Sequence, residues 1–365
     1  MKVAIITMHA ARNYGAVLQT YALQYYLEKM GNEVEIIDYR LPNQSTKGYL
    51  FNVNSKFKKN PITKLAYLAK TLYPKYITTR LFRDFQKRRL KLSCPVTLDE
   101  KKRWKFPSAD IYCSGSDQIW NPRANGGFNS AYFHDGVTGK KISYASSIGI
   151  NDLTDEEEQI IKENLRDYSS ISIRELSSIP ILKKLGYQAV CVIDPTLLLK
   201  KEEWECFSDG ELEEEPYLLV YYFGNAKSIL STANQIAHKR GLRVRRISVG
   251  FEKYTDDDVI EKFITPERFV LLFLNASYVV TNSFHGTIFS INFEKQFLSY
   301  PTTDNNARFD SVFQMFDLQG RNLRKYSGEE YINLPDIDYV RVSRVLAEKR
   351  EESYIYLKHA LQDEV

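Results

Sequence analysis

Lys2-Val3-Ala4-Ile5-Ile6-Thr7 is an apolar run that turns polar at its end, the pattern of a parallel strand buried on both faces. Beyond a polar turn holding Gly15, Val17, Leu18, Tyr21, Leu23, Tyr25 and Leu27 recur at helical spacing over 16–30, and Gly31 follows as a C-cap. Residues 34–37, Val34-Glu35-Ile36-Ile37, read as the second strand. Strand, glycine-bearing turn, helix and strand form one β-α-β unit, the opening of a doubly wound sheet.

Outward from this unit the alternation resumes, with short strands expected at 110–113, 141–145, 171–173 and 189–193. A helix at 154–168 is capped by Thr154 and acidic at its start, which suits the helix dipole. The acidic stretch 211–216, closed by Pro216, marks a domain boundary. A second alternation follows, with strands at 217–223, 243–249 and 278–281 and helices at 228–239, 266–277 and 285–293. The predicted architecture is α/β, with two Rossmann-like doubly wound domains around a cleft. They span 1–212 and 213–335, with an insertion at 45–105 and a C-terminal helix at 336–365.

The 365 residues suffice for two such domains, and 43% hydrophobic content with 26% charge is that of a globular chain. Four cysteines without CxxC spacing argue against a zinc site or a disulfide framework, so a cytoplasmic setting is expected. The N-terminal apolar run is too short for a signal-peptide core, and no run is long enough to span a membrane. The net charge of +4 does not suggest nucleic acid, but it is unevenly spread. Residues 45–92 hold thirteen Lys and Arg against one acid, Asp84, interleaved with aromatic and aliphatic side chains. This composition fits a helix lying on an anionic membrane surface and equally a helical insertion with a solvated basic face.

Four stretches lie where strands end, the usual ligand position in open α/β sheets. In His9-Ala10-Ala11-Arg12-Asn13-Tyr14-Gly15-Ala16, Gly15 permits close backbone approach and the helix N-terminus offers N–H groups to an anion. The stretch lacks GxGxxG, which argues against a dinucleotide, and it also fits an ordinary turn. In Ser114-Gly115-Ser116-Asp117-Gln118-Ile119-Trp120-Asn121, Trp120 has the shape to stack on a sugar and Asp117 and Gln118 to bond hydroxyls. A structural tryptophan beside a capping Asp is the alternative. Arg174, directly after a strand, has the fork geometry for phosphate or carboxylate, or for an ion pair with Glu175. In Asn282-Ser283-Phe284-His285-Gly286-Thr287, His285 opens a helix among hydroxyls, where acid–base work and anion binding can share one spot; a simple capping role is the other reading.

Together with Ser143-Tyr144-Ala145-Ser146-Ser147-Ile148-Gly149, Ile193-Asp194-Pro195-Thr196-Leu197 and Arg308, these stretches resemble the polysaccharide pyruvyltransferase family, in order, over roughly the first 320 residues. The resemblance implies a glycosyltransferase-B-like arrangement and transfer of the enolpyruvyl group of phosphoenolpyruvate onto a saccharide, giving a pyruvate ketal. It implies catalytic His285, with Arg174, also counted as catalytic, and Arg308 as the cations that hold the donor; Ser283, Gly286, Thr287, Asn13 and Gly15, read above at helix N-termini that suit an anion, complete the expected donor site. Ser116, Asp117, Gln118 and Trp120 then face the acceptor, and no metal, redox cofactor or nucleic acid is expected. The acceptor is expected to be a lipid-linked capsule or exopolysaccharide precursor, reached by the basic segment 45–92 from the inner face of the cell membrane. Departures are Asn282, where Asp is common, and the insertion itself. A nucleotide-sugar-dependent glycosyltransferase or a non-catalytic saccharide-binding relative would share the scaffold, although no convincing acid for a ribose stands in the second half.

Overall fold

The structure, a computed structural model, describes residues 1–58, 60–100, 103–208, 210–211, 215–224, 227–248, 258–301 and 306–362. The boundary expected at 212/213, the end of the strand expected at 243–249, Lys59 of the basic segment and the last three residues of the C-terminal helix lie outside the described residues.

The chain runs β1 (Lys2–Ile6), α1 (Tyr14–Lys29), β2 (Glu33–Ile36), α2 (Thr46–Leu50), α3 (Ser55–Lys58), α4 (Pro61–Arg89), β3 (Ile111–Ser114) and β4 (Lys140–Ser143). Next come α5 (Asp155–Leu165), β5 (Tyr168–Ser170), β6 (Ser172–Ile173), α6 (Ser178–Lys184), β7 (Val190–Cys191), α7 (Pro195–Leu198) and α8 (Lys201–Phe207). The second half holds β8 (Tyr217–Tyr221), α9 (Lys227–Arg240), β9 (Arg243–Ser248), β10 (Val259–Lys262), α10 (Pro266–Asn275), β11 (Tyr278–Thr281), α11 (Phe284–Asn292), β12 (Gln296–Ser299), α12 (Asn306–Phe316) and α13 (Tyr339–Leu361). Two five-stranded parallel sheets result, ordered β2-β1-β3-β4-β5 and β10-β9-β8-β11-β12. These are two Rossmann-like domains in a glycosyltransferase-B-like pairing, and each sheet reverses its order once, beside β1 or β8. The pair β6–β7 is a separate ribbon leaning on the first sheet.

β1 reads as an unbroken apolar run because Val3 and Ile5 enter one core while Ala4 and Ile6 enter another. The first core crosses the domain boundary: α1 meets α10, and Tyr14 stacks on Phe269 with centroids 4.5 Å apart. The Tyr14 hydroxyl donates to the Ile264 carbonyl at 3.0 Å. α13 adds a second tie. Its first residue, Tyr339, donates to the Ser290 carbonyl of the second domain, while Tyr356 donates to the Ser143 carbonyl of the first at 2.8 Å.

The insertion is helical. α4 passes through Pro74 and is fastened by its last turns, where Phe82 and Phe85 are buried and Gln86 donates to the His9 carbonyl at 2.9 Å. Arg88 and Arg89 reach Glu267 of the second domain. Among the described residues no helix is long and apolar enough to cross a membrane.

The helix expected at 154–168 stops at Leu165. Thr154 and Glu157 form its capping box, and Tyr168–Ser170 become an edge strand because the Tyr168 hydroxyl bonds Ser114 Oγ at 2.6 Å beside Trp120. β10 and β12 are four-residue strands, too short to show a period.

Truncating the fully buried Leu357 tests the returning helix. Leu357→Ala should lower unfolding free energy by about 2–5 kcal/mol in chemical denaturation; a loss under about 1 kcal/mol would mean that α13 does not hold the domains.

Candidate active site

The order reversals of both sheets face each other. From the first come the turn after β1, ending in Asn13, and the turn after β3, with Asp117 and Gln118; from the second come Phe223 after β8 and Asn282–His285 after β11. Asn282 bridges these last two, its side chain accepting from the Phe223 N–H and donating to the Phe223 carbonyl, each at 2.8 Å. The cleft between them measures about 370 Å³ and is also lined by Arg308 and Asn125. A larger groove, about 810 Å³, lies between α1, α8 and α13 and carries none of these residues.

Two helices point their N-termini into the cleft. Asn13 caps α1 by accepting from Ala16 N–H at 3.2 Å, and Ser283 caps α11 by accepting from Gly286 N–H at 3.2 Å. The remaining first-turn N–H groups have no intrahelical partner, so both ends favour an anion. His285 fills the space between them. A Cβ on Gly15 would stand 2.0 Å from His285 Nδ1, so only glycine admits the imidazole there. His285 Nε2 has no hydrogen-bond partner and lies 3.8 Å from Asp194 Oδ2. Burial pushes the imidazole below its ordinary pKa; Asp194 and Asp117 oppose this, while Arg174 and Arg308 add to it.

Asp194 organises the layer beneath. It caps α7, its Oδ1 accepting from Thr196 N–H at 3.0 Å and from the Thr196 hydroxyl at 2.8 Å. Its Oδ2 accepts from Arg174 Nη1 at 2.7 Å and from Ser116 Oγ at 3.3 Å. Burial alone would raise the Asp194 pKa, but His285, Arg174 and the Thr196 N–H outweigh it and hold it below the usual carboxylate value. Burial likewise opposes the Arg174 charge, and Asp194, Glu175 and Asp117 more than restore it. Phe284 stands between the two arginines, its ring centroid 4.6 Å from Arg174 Cζ and 5.3 Å from Arg308 Cζ. Among the described residues Arg308 has no ion pair of its own and its Nε no partner; burial, and then Arg174, push it down to about 10. With its amide oxygen turned toward Arg308, Gln118 accepts from Nη1 and Nη2 at 3.3 and 3.1 Å. Among the described residues no three His, Cys, Asp or Glu side chains group as metal ligands.

The sequence profile of the polysaccharide pyruvyl transferase family matches residues 13–305, which includes every residue of this cleft except Met8, Ala11, Arg308 and Phe309. The chain belongs to that family. It is a family of transferases. A search of curated proteins gave no significant match. Similar solved structures include a UDP-GlcNAc 2-epimerase from Neisseria meningitidis bound to UDP-GlcNAc, at 11% identity and a TM-score of 0.47, covering 100% of this chain and 95% of that one. Another is Arabidopsis thaliana UGT89C1 complexed with UDP-L-rhamnose, at 11% identity and a TM-score of 0.48, covering 98% and 97%.

In this pyruvyl transferase family member the fold gathers His285, Gly15, Asn13, Ser283, Asp117, Gln118 and Arg308 at one cleft. Five expected residues are placed otherwise. Trp120 is fully buried, stacked on Phe133 at 5.5 Å, and shows no face to a sugar, because Ile119 and Trp120 fill the core behind β3. Ser116 is also fully buried, and its hydroxyl serves Asp194 instead of an acceptor. The Thr287 hydroxyl is taken by the Ser283 carbonyl and by Ser299 Oγ, and the Gly286 N–H by Ser283 Oγ, so neither is free for a donor. Gly286 is glycine because a Cβ would stand 2.6 Å from Thr281 Oγ1. Arg174 lies one layer below the cleft surface, committed to Asp194. His9, the other histidine in a sheet-end turn, is buried and paired with Asp38 at 3.0 Å. Asp194 and Phe284, inside quoted motifs but given no role from sequence, are central.

Gly15→Ala should displace the imidazole without unfolding the chain, since Gly15 sits in a helix that alanine favours. The expected result is an unchanged far-UV spectrum with a shifted His285 imidazole resonance; an unshifted resonance would show that the contact is not obligatory.

Proposed function

We propose that this member moves the enolpyruvyl group of phosphoenolpyruvate onto a saccharide and closes it as a pyruvate ketal. The carrying observation is His285 without a hydrogen-bond partner at Nε2, set among Arg308 and two helix N-termini. Phosphoenolpyruvate brings a phosphate and a carboxylate, and that set of donors has room for both. Arg308 grips one anionic group and the N-termini of α1 and α11 the other, while Arg174 neutralises the acids below.

The trianionic donor raises the His285 pKa, so the imidazole becomes protonated as the donor binds, with Asp194 as its counter-charge. The imidazolium passes its proton to C3 and leaves an oxocarbenium-like centre at C2. A sugar hydroxyl adds there and returns its proton to the imidazole. The second hydroxyl then displaces phosphate from C2, its proton leaving with the phosphate, and the ring of the ketal is closed. Donor and diol become the ketal and inorganic phosphate, and the residues named supply the acid, base and anion site without a cofactor.

On the acceptor side, Asp117 and Gln118 bond hydroxyls. Trp120 gives way to Phe223, which is 39% exposed at the cleft, as the ring a sugar meets. The acceptor is a lipid-linked precursor of a capsule or exopolysaccharide, met at the inner face of the cell membrane.

Two measurements test the reading. Purified protein should release inorganic phosphate from phosphoenolpyruvate in the presence of an acceptor, and His285→Ala should lower that rate at least about a hundredfold. Release of a nucleotide from a nucleotide sugar, with no phosphate from phosphoenolpyruvate, would assign the cleft to glycosyl transfer. Donor binding near pH 7 should also take up a proton, because His285 is held neutral in the free protein and the incoming anion raises its pKa. Calorimetry in buffers of different ionisation enthalpy reads this uptake. Its persistence in His285→Ala would place the proton on another group.

A further inference from the structure

α4 is about 43 Å long, and its two long faces differ. Thr71, Thr79, Phe82, Phe85 and Gln86 are buried. About a third of a turn round the helix, Ile62, Leu65, Ala69, Leu72 and Tyr76 follow one another at helical spacing, with Tyr73 beside them, and all are exposed. Ile62 is 77% exposed, Leu65 70% and Tyr73 68%. The same stripe continues through Arg80, Arg83 and Lys87, also exposed. One solvent face is therefore apolar along its first half and cationic along its second. Single exposed apolar side chains are ordinary, but five in register with a sixth beside them on one helix mark a contact surface.

We infer that this face of α4 docks on an anionic membrane surface, the apolar half entering the headgroup boundary and Arg80, Arg83 and Lys87 meeting lipid phosphates. Charge selects this occupant. The segment 45–92 nets +12 while the rest of the chain nets −8, so a symmetric pairing of two copies through α4 would set like charge on like. The docked face is coupled to the cleft through the fastened end of the helix. Phe82 lies 5.2 Å from the Tyr14 ring, next to the Asn13 cap, and Gln86 holds the His9 carbonyl. A docked α4 is thus tied, through Tyr14 and His9, to the turn that ends in Asn13 at the cleft.

The inference deepens the reading of a membrane-borne acceptor, yet its test needs neither donor nor acceptor, so failure here leaves pyruvyl transfer to be judged by phosphate release. The full chain is co-sedimented with phosphatidylcholine vesicles with and without phosphatidylglycerol, at low and high salt. Binding is expected to require phosphatidylglycerol and to weaken with salt. Arg80→Glu/Arg83→Glu/Lys87→Glu should lower partitioning by about a hundredfold or more, and Ile62→Ser/Leu65→Ser/Leu72→Ser by about tenfold or more. Because these side chains are exposed, both variants should keep the parent's melting temperature. Equal binding to both vesicle types, no binding, or unchanged partitioning of both variants would overturn the inference. So would sedimentation velocity showing a dimer that the serine variant dissolves, in a protein that ignores vesicles.

Discussion

At Gly15 the missing side chain lets an imidazole from the second domain rest against the first turn of a helix from the other. Helix N-termini repel one another electrostatically, since each carries roughly half a positive charge. Two of them converge here only because packing elsewhere compels it, and the compelling contact begins one residue away. Tyr14 lies stacked on Phe269, and behind it an apolar core runs unbroken from β1 to β12. Hydrophobic burial between domains is thus converted into local electropositive potential, and His285 sits where that potential is concentrated.

The buried charges follow from the same constraint. Arg174, Asp194, Glu175 and Arg308 are all nearly inaccessible, and a buried ion is tolerable only when paired. Asp194 pairs directly with Arg174, whereas Arg308 has an amide, the Phe284 ring and the more distant attraction of Asp117, Glu175 and Asp194 against burial and the repulsion of Arg174. Glu175 responds in the opposite sense, its carboxyl pushed up by burial although Ser147 donates to it. Such an arrangement holds less stability than an apolar filling of the same volume would. Asp117, held at φ 77° where a side chain is strained, belongs to the same pattern.

Much of this was legible before any coordinates. The β-α-β opening, the strand ends and the histidine at the start of α11 follow from apolar runs broken by polar turns, a signal that survives in a single sequence. Less visible was which way a side chain turns. Trp120 lies two positions beyond Gln118 in a polar stretch, yet the turn after β3 sends it into the core while Gln118 faces the cleft. Gly286 and Thr287 looked like donor ligands because helix N-termini bind anions, but Ser283 claims the one N–H and its carbonyl the hydroxyl of the other. Asp194 was hidden for a different reason. Asp-Pro at the head of a short helix reads as a cap, and it is one; only the fold reveals that its second oxygen faces Arg174 and His285.

A cleft sealed by a shared core has a limited way of admitting substrates. Swinging the domains apart would expose Tyr14, Phe269 and their neighbours and would break the hold of α13 on both halves. Wide hinge opening is therefore expensive, and ligands must use the cleft as it stands, with Asn125, Gln118 and Phe223 in its walls. A large saccharide then needs only its terminal sugar inside, with the remainder left outside the protein. That division makes the rim of the cleft, more than its depth, the part that meets the rest of a long saccharide.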